Sequence, residues 1–150
     1  MSHAAAAQVV RSFFDAYRAH DVDAMVRTCS ECADFHYVPF EMWGKQRVLR
    51  GDGKVHSIGR VLWTGLIESF PNLTNEVTSI EADSDGNVAA EVAIRGTQAK
   101  VWGAIANRGK AFDVPHLFLF RVDAAGRIGH ITAYWDGAEF NRQLGRIEID

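Results

Sequence analysis

Asp136 ends a run whose residue types suit proton-transfer chemistry: His130-Ile131-Thr132-Ala133-Tyr134-Trp135-Asp136, opened by Gly126-Arg127-Ile128 and followed by Phe140-Asn141-Arg142-Gln143-Leu144-Gly145. β-Branched and aromatic residues bounded by a turn read as a strand. In a strand Asp136 shares a face with Tyr134, Thr132 and His130, while Trp135, Ala133 and Ile131 point the other way. Flanking Tyr134 and Trp135 predict partial desolvation of the carboxylate. Desolvation moves a carboxyl group toward the range where it can take up and return a proton near neutrality. A strand-end Asp can equally cap the following turn through its side chain. Local residue types leave both roles open.

The two cysteines lie together as Cys29-Ser30-Glu31-Cys32, a spacing used in redox exchange or in half of a zinc site. A redox pair needs a helix N-terminus to stabilise its thiolate. Here the pair closes a helical pattern (Val22, Met25, Val26, Cys29) and precedes a strand, and no second pair completes a metal tetrahedron. Small core or boundary residues is the better reading. His36, His116 and His130 are far apart in sequence, with no close His-x-His or His-x-x-x-His pair, so no metal is expected.

The elements that must position these groups follow from periodicity. Val9, Val10, Phe13, Phe14 and Tyr17 predict an amphipathic helix from about Ala5 to Ala19. His20-Asp21 ends it, and Asp21 can cap a short second helix reaching Cys29. Ala33 to Val38 reads as a short strand stopped by Pro39, and Phe40 to Lys54 as an irregular segment. Residues 56–69 carry a broad apolar helical face, with Pro71 as the stop. The remainder reads as antiparallel sheet: strands at 73–82, 88–97, 100–106, 112–122 and 128–136, separated by turn-forming residues. Helices followed by strands make an α+β fold: a cone-shaped curved antiparallel sheet wrapped around the long helix, with two further N-terminal helices. Pocket-facing candidates are Tyr17, His36, Trp43, Trp63, Trp102, His116, Tyr134 and Asp136.

At 150 residues the chain reads as one domain spanning 1–150, large enough to bury a core without disulfides or metal. A net charge of -3, with no concentrated basic patch, argues against nucleic acid as a partner. No apolar run reaches the roughly 20 residues a membrane span requires, and Met1-Ser2-His3-Ala4 lacks the basic start of a secretory signal. A cytoplasmic location is expected.

In this order the pieces resemble the SnoaL-like polyketide cyclases, within the ketosteroid-isomerase and nuclear-transport-factor-2-like fold. They are Ala19-His20-Asp21-Val22-Asp23, Ser69-Phe70-Pro71-Asn72-Leu73, Arg95-Gly96-Thr97, Asn107-Arg108-Gly109-Lys110, Tyr134-Trp135-Asp136 and Arg142-Gln143-Leu144-Gly145. The likeness extends from about Val9 to Gly145. It implies a cofactor-free enzyme closing a ring by intramolecular aldol condensation, with the last-strand aspartate, Asp136, as general acid/base. His116 is the second polar contributor, on the face of Phe118 and Phe120. The isomerase pattern is absent: its helix tyrosine and first-strand carboxylate fall near Phe13 and Tyr37. The Phe40 to Arg50 segment, with Glu41, Lys45, Arg47 and Arg50, is longer and more charged than expected for a cyclase of large aromatic polyketides and could cover the cone mouth.

Two functions compete. One is an acid/base enzyme, a cyclase, isomerase or dehydratase acting on a small hydrophobic or aromatic molecule, with Asp136 and His116 catalytic and Tyr17, His36, Trp43, Trp63, Trp102 and Tyr134 binding substrate. The other is a non-catalytic ligand-binding or dimeric structural module, its cone plugged by Trp63, Trp102 and Tyr134. Either is expected to be a homodimer joined through the outer face of its sheet, since the 100–106 and 117–122 segments are apolar on both faces.

Overall fold

A computed structural model describes residues 2–44 and 47–146, with side chains for 2–38 and 52–146. Helix α1, His3–Arg18, buries Ala6, Val10, Phe13, Phe14 and Tyr17, the stripe its periodicity predicts. Ser2 caps it by accepting from Ala5 N at 3.1 Å. The turn after it puts His20 at φ 59°, and its ring meets the Leu73 carbonyl at 2.6 Å. Helix α2, Val22–Arg27, starts at the expected cap, Asp21 accepting from Ala24 N.

Strand β1, Cys29–Gly44, runs straight through Pro39 and pairs antiparallel with β2, Arg47–Lys54. The segment expected to be irregular is therefore a hairpin. Its register shifts between His36 and Glu41, a break that accommodates a proline without an N–H to give. Cys29 is buried and Cys32 exposed, both free; three positions apart on a strand, they fall on opposite sides. Burial pushes the Cys29 thiol up to about 11. A π-helical turn, Val55–Gly59, leads into α3, Arg60–Ser69.

The sheet continues with β3 (Thr74–Ala82), β4 (Asn87–Thr97), β5 (Ala111–Val122) and β6 (Ile128–Trp135), and the chain then forms α4, Gly137–Gln143. Strand order is β2-β1-β6-β5-β4-β3, an open six-stranded sheet. All neighbours are antiparallel except β1 and β6, which run parallel. The sheet is thus mixed, while the α+β cone with its helices against the inner face is as expected. The predicted strand at 100–106 is absent; residues 98–110 form a connection whose one bridge joins Trp102 to Ile105. Among the described residues no helix is long and apolar enough to cross a membrane.

The cone opens where β6 ends before β5 does. Pairing of β5 with β6 begins at His116↔Trp135, whereas pairing with β4 continues to Thr97↔Ala111. Beyond that point Gln143 of α4 stands in for a strand: its Oε1 accepts from Asp113 N at 2.7 Å and its Nε2 donates to Asp113 O at 3.2 Å. Two residues on, and so aimed to the same side, Pro115 has no N–H to leave unmatched. Gly145 follows at φ 82°, with the Arg108 and Lys110 side chains packed against it.

Candidate functional site

The inner face of the sheet and the two long helices enclose a cavity of about 40 Å³, lined by Tyr17, Tyr37, Leu62, Leu66, Ile94, Trp102, Phe112, His116, Trp135 and Phe140. It is an aromatic chamber with few polar atoms. Tyr17, in the last turn of α1, is 2% exposed, and its hydroxyl has no hydrogen-bond partner among the described residues. An unmet buried hydroxyl costs about 1–3 kcal/mol. Burial, and secondarily the nearby Tyr37, pushes the Tyr17 phenol well above its usual range, so it stays protonated and able to donate a hydrogen bond. The Tyr37 hydroxyl accepts from Trp63 Nε1 at 3.0 Å, and burial raises its pKa to about 12.

His116 sits on β5 between two parallel rings, Phe118 at 5.7 Å and Trp135 at 5.4 Å. Its Nδ1 lies 3.0 Å from the Val114 carbonyl. A carbonyl only accepts, so the proton is on Nδ1 and Nε2 carries the free lone pair. Burial brings its pKa down to about 4, against the smaller opposing pull of that carbonyl. The ring is therefore neutral at physiological pH. Together Tyr17 and His116 supply one hydrogen-bond donor and one proton acceptor in a chamber otherwise lined by aliphatic and aromatic side chains. Among the described residues no Asp, Glu, Lys or Arg lines it. Among the described residues no three of His, Cys, Asp and Glu come together to hold a metal ion.

Of the residues proposed from sequence, Tyr17, Trp102 and His116 meet in this chamber. Four others lie elsewhere. Asp136 is exposed, and its Oδ1 accepts from Glu139 N at 2.9 Å as the N-cap of α4. Its predicted desolvation fails because the buried parity of β6 is Ile131, Ala133 and, partly buried, Trp135. Tyr134, on the opposite parity, is 44% exposed. His36 is likewise exposed, between the inward Phe35 and Tyr37. Trp63 is buried but belongs to the solid core, edge-on to Phe13 at 5.6 Å. The Trp43 side chain, and with it the expected covering of the cone mouth by the 40–50 segment, falls outside the described residues. Sequence reasoning missed Tyr37, Trp135 and Phe140. The signal for Trp135 was available in the strand's own alternation, since Ile131 and Ala133 mark the apolar face.

The sequence profile of the SnoaL-like domain matches residues 10–131 of the chain. No curated protein matches it in sequence. Among solved structures, AclR, a candidate hydroxylase from Streptomyces galilaeus, is similar at TM-score 0.77 and 16% identity, covering 99% of this chain and 89% of that one. A candidate SnoaL-like polyketide cyclase from Jannaschia sp. CCS1 aligns at TM-score 0.74 and 17% identity, over 97% and 95% of the two chains. SalBIII, an epoxide hydrolase/cyclase-like enzyme of pyran ring formation in the polyether salinomycin, aligns at TM-score 0.66 and 20% identity, over 88% and 91%.

Proposed function

Since the chain belongs to the SnoaL-like domain family, we propose that it is a small-molecule enzyme of cyclase type, working by acid/base catalysis from the aromatic chamber. The observation that carries this reading is the Tyr17 hydroxyl, buried without a partner among the described residues and lining the same chamber as His116. Tyr17 donates to a substrate carbonyl oxygen. His116 Nε2 takes a proton from the adjacent carbon, leaving an enolate whose charge rests on the oxygen held by Tyr17. The enolate carbon bonds to a second carbonyl carbon of the same molecule, and the resulting alkoxide recovers its proton from His116. A base held near pKa 4 suits a carbon already acidified by conjugated carbonyls, so the substrate supplies the electron sink. SalBIII's role in pyran ring formation supports a ring closure as the reaction type.

The smallness of the cavity, about 40 Å³, favours a second reading, a dimeric structural module whose cone is filled by side chains. Exchange of the α-protons of 2-tetralone in D2O, followed by proton NMR, separates the two. The enzyme reading expects the wild type to accelerate exchange, and His116→Gln to lose about a hundredfold or more. Tyr17→Phe is expected to lose about 10²–10³-fold, as for removal of an oxyanion donor. Asp136→Asn keeps the α4 cap, since Asn caps as well as Asp, and is expected to leave exchange unchanged. A hundredfold loss in Asp136→Asn with His116→Gln unaffected would return the proton-transfer role to Asp136. Exchange at the solvent rate in the wild type would favour the module.

A further inference from the structure

We infer that Trp102 is the specificity-determining residue of this chamber, the wall that sets how large a ligand it takes. Nine of the ten described lining residues are built into α1, α3, α4 or the sheet; among them Trp102 alone is carried by a connecting segment. Its seat is a two-residue hairpin. Trp102 N donates to Ile105 O at 3.1 Å, Ile105 N donates to Trp102 O at 2.8 Å, and Gly103 turns the corner at φ 56°. Gln98, 2% exposed, holds the hairpin from beneath, its Nε2 donating to Lys100 O at 3.0 Å and Ile105 O at 3.1 Å. Ala99 N donates to Ser69 O at 2.8 Å, and Ser69 Oγ donates to Val101 O at 3.3 Å. The segment is thus pinned to the end of α3.

The indole reaches the chamber by lying over Gly65 of α3, where an added Cβ would stand 3.3 Å from Trp102 Cζ3. A side chain at 65 would press on the ring. A space of about 40 Å³ is well below the roughly 150 Å³ of an apolar cavity that takes up benzene. A fused-ring ligand therefore needs one wall to give. Every other described lining residue has its backbone within a helix or strand, whereas the Trp102 backbone belongs to a two-residue hairpin. Ligand class follows from the walls: a planar, uncharged ring ketone or phenol that can accept from Tyr17 or donate to His116. A carboxylate would be buried without a counter-charge. The ligand class rests on the proposed function; the size limit does not.

The test is calorimetric titration of 2-naphthol, 9-phenanthrol and 2-naphthoate into the wild type, Trp102→Phe and Trp102→Ala. Expected is a gain of about tenfold or more in affinity for three-ring 9-phenanthrol relative to 2-naphthol in Trp102→Ala. That is the scale on which pocket fit discriminates. Trp102→Phe should lie between the two, and it answers the question alone should Trp102→Ala fail to fold. An unchanged ratio of the two affinities overturns the assignment, as does absence of binding to the folded variants. Preferred binding of 2-naphthoate overturns the ligand class. A size shift in a protein whose α-proton exchange is indifferent to His116 and Tyr17 would keep the gate and remove the catalytic reading; the reverse outcome would do the opposite.

Discussion

His116 gives the fold a pH dependence of known sign. Its pKa falls from 6.5 to about 4 on folding, chiefly through desolvation, so between those values the unfolded chain binds a proton that the folded chain refuses. Stability is therefore intact above pH 6.5 and is lost as pH falls toward 4. Glu139, hydrogen-bonded by Arg142 and held at about 2, loses its contribution only below its ordinary value of 4.5. Melting temperature against pH is expected to decline through the upper window in the wild type and to flatten there in His116→Gln; an identical slope in both would assign it to other groups. At this scale the site was partly legible. Tyr17 and His116 could be chosen because each is a polar group set among aromatics at a core spacing. The alternation placed Asp136 on the side of Tyr134 and Thr132 but did not say which face of β6 is buried. A capping Asp and a catalytic Asp have the same neighbours in sequence and differ only in which face of β6 is buried.

Turns and their glycines are where local chemistry governs element boundaries. Between β3 and β4 the Asp83 carboxylate accepts from Asp85 N at 2.8 Å and Asn87 N at 2.9 Å. Gly86 sits there at φ 88°, where a Cβ would stand 2.1 Å from the Val122 carbonyl oxygen. Gly109, at φ 66°, has nothing within 4 Å of the same position. Gly109→Ala should cost about 1–2 kcal/mol, the left-handed penalty alone. Gly86→Ala should cost clearly more, because backbone must shift as well. Urea midpoints compare the two, and equal losses would mean that the β5 end yields freely. The same turn chemistry made β3 through β6 readable to within a residue or two. Three elements were not readable this way. The 100–106 run is apolar enough for a strand, yet its residues serve the chamber and Gln98 rather than a neighbouring ladder. Strand β2, with Gly51 and Gly53, lacks the usual composition and exists because β1 offers it an edge. Helix α4 is short and glycine-led, although Asp136-Gly137-Ala138-Glu139 spells its cap.

For the molecule as a whole we propose a homodimer joined through the outer face of the sheet. Leu117 and Tyr134 stand directly opposite each other across β5 and β6. They are 39% and 44% exposed, with Leu119 at 40% on the same side. These form a shared apolar surface that the 100–106 segment, being off the sheet, does not extend. A stable pair needs about 800 Å² from each partner, which one sheet face can offer. Sedimentation equilibrium at micromolar concentration is expected to give twice the chain mass, and Leu117→Glu to return it to one; a monomeric wild type would refute the arrangement. The strand order has a further consequence, for the newborn chain. Strand β6, last to be made, lies between β1 and β5. The β1–β2 hairpin thus has nothing to join on its inner side until the final strand emerges. At about 5–20 residues per second, the interval from β1 to β6 lasts roughly 5–20 s. Through that time the ribosome displays an open strand edge, and the two halves of the sheet close together or not at all.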